Sequence, residues 1–73
     1  MPFVQIKIIE GVFSEEQKRQ MLDKVSEALL SVEGENLRQF THVIIDEIKS
    51  QNWSIGGKAM KTEDVKALVA GKK

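Results

Sequence analysis

Phe3-Val4-Gln5-Ile6-Lys7-Ile8-Ile9 and Thr41-His42-Val43-Ile44-Ile45-Asp46-Glu47-Ile48 are the two stretches whose reading decides the fold. Both alternate in the way a strand requires, and the second is rich in β-branched residues. In the first, Pro2, Val4, Ile6 and Ile8 share one face, and Phe3, Gln5, Lys7 and Ile9 share the other. In the second, His42, Ile44, Asp46 and Ile48 are opposed to Thr41, Val43, Ile45 and Glu47. A helix-bearing segment of about thirty residues lies between the strands, the length of a right-handed crossover, so they are predicted to be parallel neighbours.

The segment between them carries clear helix punctuation. Ser14 and Gln17 form a capping box, and Glu15 and Glu16 occupy the first turn, where the helix dipole favours negative charge. Met21, Leu22, Val25, Ala28, Leu29 and Val32 read as the apolar stripe, and Gly34 as the stop. Glu15–Arg19 and Arg19–Asp23 are spaced for surface ion pairs, each contributing only tenths of a kcal/mol. Residues 35–40 read as a loop or one short helical turn.

After the second strand, Gly56-Gly57 sits between two short extended pieces and signals a tight hairpin over 53–60. Thr62-Glu63-Asp64 reads as the capped start of a short C-terminal helix with Val65, Leu68 and Val69 on its inner side. The reading is one α+β domain, a β-α-β subunit with parallel strands, a C-terminal hairpin and a short helix.

Seventy-three residues make a small domain, one that buries only roughly 60% of the surface its unfolded chain exposes. The sequence has no cysteine and a single histidine, so disulfides and thiolate metal sites are excluded and no metal cage is expected. Association of subunits is the remaining remedy. A sheet of two strands with one main helix points the same way, because one of its faces stays uncovered. Eleven basic and eleven acidic residues balance to zero, which argues against a nucleic-acid surface. The lysines near the C-terminus (Lys66, Lys72, Lys73) read as solvated. No apolar run approaches a membrane span and the N-terminus lacks a secretory layout, so the expectation is a soluble cytoplasmic protein.

Pro2 carries the chemical interest. Within a chain, proline nitrogen is an amide without a proton. If Met1 is removed, Pro2 becomes a secondary amine at the start of a strand, and so a titratable base.

The Met-Pro start, Val4–Gly11, Ser14–Lys18, Val25–Ala28, Val43–Glu47 and Trp53–Gly57 together resemble the 4-oxalocrotonate tautomerase family of the tautomerase superfamily. The resemblance covers about residues 2–60 and leaves the C-terminal helix outside. It implies a hexamer built as a trimer of dimers, with Pro2 as general base or acid in a pocket shared between subunits. The implied reaction is an isomerisation: proton transfer on an enol or 2-hydroxy-dienoate to give a 2-oxo acid, without cofactor or metal. The implied partners are a small carboxylate substrate and further copies of the chain. Phe3, Ile9, Trp53 and Ile55 are candidates for an apolar pocket that disfavours the charged amine and lowers its pKa towards neutrality.

The sequence departs from the family pattern at important places. Val12 and His42 stand where arginines are usual, Trp53 where phenylalanine is common, and one extra residue lies between Gly11 and Ser14. A guanidinium fork is the usual clamp for a carboxylate and for charge developing on a carbonyl oxygen. Three readings follow. Protonated His42 holds the carboxylate, assisted by Arg38, Lys7 or Lys58 of a neighbouring chain. Alternatively, a heterohexamer partner supplies the arginines. Finally, the scaffold persists as a non-catalytic or substrate-diverged assembly protein.

Overall fold

The computed structural model describes residues 1–71. In chain order the elements are β1 (Phe3–Ile9), α1 (Glu15–Glu33), a 3-10 helix (Glu35–Phe40), β2 (His42–Ile48), β3 (Trp53–Ile55), β4 (Lys58–Met60) and α2 (Thr62–Val69). β1 and β2 pair in parallel, in a register that runs from Phe3 opposite His42 to Ile9 opposite Ile48. β3 and β4 form a separate antiparallel hairpin. Gly56 and Gly57 both have positive φ, 59° and 85°, the combination that a tight turn matched to the strand twist demands.

The sheet owes its position to α1. The capping box is complete: Gln17 N–H donates to Ser14 Oγ at 3.1 Å, and Ser14 N–H donates to Gln17 Oε1 at 2.9 Å. At the other end Gly34 turns the chain with φ 99°, its N–H donating to the Leu30 carbonyl. Residues 35–40 are the 3-10 helix rather than an irregular loop. β2 begins at His42, one residue later than the alternation predicts. Thr41 is tied back instead: its hydroxyl lies within hydrogen-bond reach of the Glu33 carboxylate and the Leu37 carbonyl.

The helix stripe differs from its sequence reading. Leu30 is buried, whereas Ala28 is exposed and Val32 is 90% exposed. Met21, Leu22, Val25, Ser26, Leu29 and Glu33 are half-buried beside Leu30. Three- and four-residue steps from Leu22 and Leu29 lead equally well to either set, and the angle at which the sheet meets the helix selects between them. The expected ion pairs are also replaced. Arg19 pairs with Glu16 at 2.8 Å, and Glu15 pairs with Lys18 at 2.8 Å. The reason lies across the sequence: Lys18 also reaches Glu47 of β2 at 3.2 Å, and so stands between two carboxylates. Those two hydrogen-bonded partners hold the Lys18 ammonium above the ordinary lysine range. The same contact holds Glu15 below the ordinary carboxylate range.

Thr62 differs too. It is the first residue of α2, and its hydroxyl caps nothing; it donates to the Glu10 carbonyl at 2.7 Å. The start of α2 is closed instead by Asp64, whose carboxylate accepts from Lys61 N–H at 2.9 Å. Lys66 is exposed, while Lys72 and Lys73 lie outside the described residues.

The subunit is elongated, 42 × 23 × 18 Å. Among the described residues only Ile9 and Leu30 are buried apolar side chains. One face of the sheet packs on α1. The other presents Phe3, Gln5, Lys7, His42, Ile44 and Asp46, with Phe3 62% exposed.

Candidate functional site

Two separate constellations stand at opposite ends of β1. At its N-terminal end, Pro2 is fixed through its carbonyl, which accepts from His42 N–H at 3.1 Å. The parallel register sets His42 directly beside Phe3, and their rings stack with centroids 6.3 Å apart. Pro2 and His42 are therefore neighbours at one end of the sheet. With Met1 attached, the Pro2 nitrogen is an amide; excision of Met1 exposes the amine.

At the C-terminal end lies an apolar pocket of about 280 Å³. β1 contributes Ile8 and Ile9, and the hairpin contributes Trp53, Ile55 and Met60. Phe13, in the turn after β1, closes one side, and Val65 and Leu68 of α2 close another. Three residues singled out in the sequence, Ile9, Trp53 and Ile55, thus meet in one place. Phe13 and Leu68 carried no signal of a site. Phe13 falls in the segment that is one residue longer than the family pattern, which is the only hint the sequence offers.

Seven residues of strand separate the two constellations, roughly 20 Å at ~3.3 Å per residue. Within one protomer Pro2 does not reach the pocket that Ile9, Trp53 and Ile55 form. Arg38 joins neither end. Its guanidinium donates to both carboxylate oxygens of Glu27, at 3.0 and 3.1 Å, and to Glu35. These carboxylates raise Arg38 above the ordinary arginine value and hold Glu35 below the ordinary carboxylate one. Asp46 and Glu47 are adjacent but face opposite sides of the sheet. Asp46 accepts from Lys7 at 3.0 Å and from Gln5 at 3.3 Å, while Glu47 accepts from Lys18. Val12, half-buried, offers no charge to an anion. Among the described residues no group of three or more His, Cys, Asp or Glu side chains converges as a metal site would require. No described helix is long and apolar enough to cross a membrane.

The sequence profile of the family described as "Tautomerase enzyme" matches residues 2–63. A protein of Dickeya dadantii (strain 3937), named "Probable tautomerase K2", is 42% identical over 60 residues, 82% of this chain and 88% of its own length. The 2-hydroxymuconate tautomerase of Pseudomonas putida is 41% identical over 61 residues, covering 84% and 94%. Among solved structures, one from a study of the 4-oxalocrotonate tautomerase isozymes of Methylibium petroleiphilum superimposes with a TM-score of 0.71. It is 36% identical, and the match spans 88% of this chain and 97% of that one. The chain belongs to the tautomerase family of enzymes.

Proposed function

We propose that the chain is an isomerase that moves a proton between carbon and oxygen of a small 2-oxo or 2-hydroxy-dienoate acid, with Pro2 as general base and acid. The observation that carries this reading is the proline set at the head of β1 in a tautomerase-family chain, pinned through its carbonyl to His42 N–H. Once Met1 is gone, the amine starts a fixed strand rather than a loose tail. An apolar surrounding disfavours its ammonium form and brings its pKa towards working pH, where a general base is most effective.

The site is completed by assembly. Pro2 lies about 20 Å from the apolar pocket of its own chain, so the pocket it serves belongs to a neighbour. The two-residue core and the uncovered sheet face carrying Phe3 and Ile44 support association for reasons of stability as well. The assembly proposed is a hexamer, three dimers of identical chains. In it, His42, beside Pro2, holds the substrate carboxylate. Arg38 assists only if assembly frees it from Glu27 and Glu35.

The reading is tested by the rate at which protein of verified mass, lacking Met1, converts 2-hydroxymuconate or phenylenolpyruvate to the 2-oxo form. Rates no higher than the buffer's refute it. The role of His42 is tested separately. A hydrogen bond to a charged group contributes about 1.5–3 kcal/mol, so His42→Ala is expected to raise KM at least about tenfold. His42→Arg is expected to recover most of that loss. The backbone N–H that holds Pro2 is present in both variants, so neither change disturbs the base. Unaltered KM in both removes His42 from the site.

A further inference from the structure

The apolar pocket and the helix that walls it set the kind of side group the substrate carries. We propose that this pocket takes an aryl or branched-alkyl group, so that the chain acts on hydrophobic 2-oxo monoacids in preference to dicarboxylates. The substrate class rests on the function proposed above; the preference of the pocket does not.

Three observations point to it. First, among the described residues of one protomer no charged side chain lines the pocket, whose wall is built of isoleucines, Phe13, Trp53, Met60, Val65 and Leu68. A second carboxylate placed against this wall would lose its water and meet neither a cation nor a set of donors of the same protomer. Second, its volume suits the occupant: a cavity of about 150 Å³ lined by apolar side chains admits benzene, and this one measures about 280 Å³. Third, part of the wall comes from beyond the residues the family profile matches. Val65 and Leu68 lie past position 63.

α2 is not loosely placed. Thr62 donates its hydroxyl to the Glu10 carbonyl at 2.7 Å and its N–H to Ser50 Oγ at 3.0 Å. Ser50 N–H in turn donates to the Glu10 carboxylate at 3.0 Å. Gly11 allows this close approach, since a side chain there would meet the Thr62 methyl at 3.2 Å. The latch fixes the start of α2 against the end of β1, and helical spacing then turns Val65 and Leu68 towards the hairpin.

Trp53 is the only tryptophan in the chain, so its emission reports occupancy of the pocket without any need for turnover. The probes are phenylacetate and adipate. Phenylacetate is expected to shift the emission and saturate at a concentration at least about tenfold lower than adipate, since one buried methylene alone discriminates by about 10–200-fold. Leu68→Arg places a cation at the wall of the pocket. Leu68 is 58% exposed, so the fold tolerates the change, which circular dichroism verifies. In this variant the ratio is expected to narrow by about tenfold or to reverse. Equal or tighter binding of adipate to the unaltered protein overturns the proposal, and so does a ratio that Leu68→Arg leaves unmoved. A parallel comparison of turnover separates the two claims. Aryl preference in emission with no turnover of either phenylenolpyruvate or 2-hydroxymuconate leaves the pocket assignment standing and refutes the catalytic reading. Turnover of both with 2-hydroxymuconate clearly favoured overturns the pocket assignment and leaves the catalytic reading standing.

Discussion

Pro2→Ala is expected to lower kcat for ketonisation by about 10²–10⁴-fold, the range in which a positioned general base contributes. The fold should survive intact. What Pro2 supplies to the structure is its carbonyl, which accepts from His42 N–H, and alanine offers the same group. What alanine lacks is the ring that fixes the amine at the strand head and makes it secondary. The loss should therefore fall on kcat more than on KM, with circular dichroism and oligomer size unchanged. Intact mass must show Met1 absent from both proteins, because an acylated nitrogen would silence either one. Equal rates for the two processed proteins would remove the proline from the mechanism.

Leu30→Ala carries the largest expected cost in stability. Leu30 is one of only two buried apolar side chains among the described residues, and truncating such a leucine typically costs about 2–5 kcal/mol. A domain of this size has a total stability near the low end of about 5–15 kcal/mol. Each kcal/mol lost lowers Tm by roughly 4–8 °C, so a fall of at least about 8 °C is expected by calorimetry or circular dichroism. Val32→Ala is the internal control. At 90% exposure, Val32 should contribute within about 0.5 kcal/mol of nothing. Similar losses for both variants would mean that Val32 is covered in the working assembly. The melts should be run at several concentrations, because association makes Tm rise with protein.

The contrast between Leu30 and Val32 also shows where the sequence stops being legible. Strand alternation, the Ser14–Gln17 box and Gly56-Gly57 are local signals, and each led to the right element in the right order. The parallel pairing followed from the length of the crossover alone. Which flank of α1 is buried depends on the angle between helix and sheet, and no spacing within the helix encodes that. Lys18 had no pairing in the sequence reading, yet it joins its helical neighbour Glu15 to Glu47, which the fold brings up from 29 residues downstream. Thr62 reads as a cap in isolation, and its hydroxyl is drawn off by Glu10, 52 residues upstream. Arg38 reads in the sequence as a candidate to help hold a carboxylate, and only the packing of the 3-10 helix on α1 reveals the hold of Glu27. At the site, Ile9, Trp53 and Ile55 were recognisable one at a time. Their convergence with Phe13 and Leu68 was not, because apolar residues announce burial without saying against what.

The span of β1 has one more consequence. Because Pro2 and the hydrophobic recess lie at opposite ends of the same rigid rod, each reaction centre in the proposed assembly borrows one half from each of two polypeptides. A chain without the base (Pro2→Ala) and another whose recess no longer favours hydrophobic groups (Leu68→Arg) should then complement each other when unfolded together and refolded as mixed particles. Some centres would inherit two sound halves, and hydrophobic-substrate turnover would return in proportion to their statistical share.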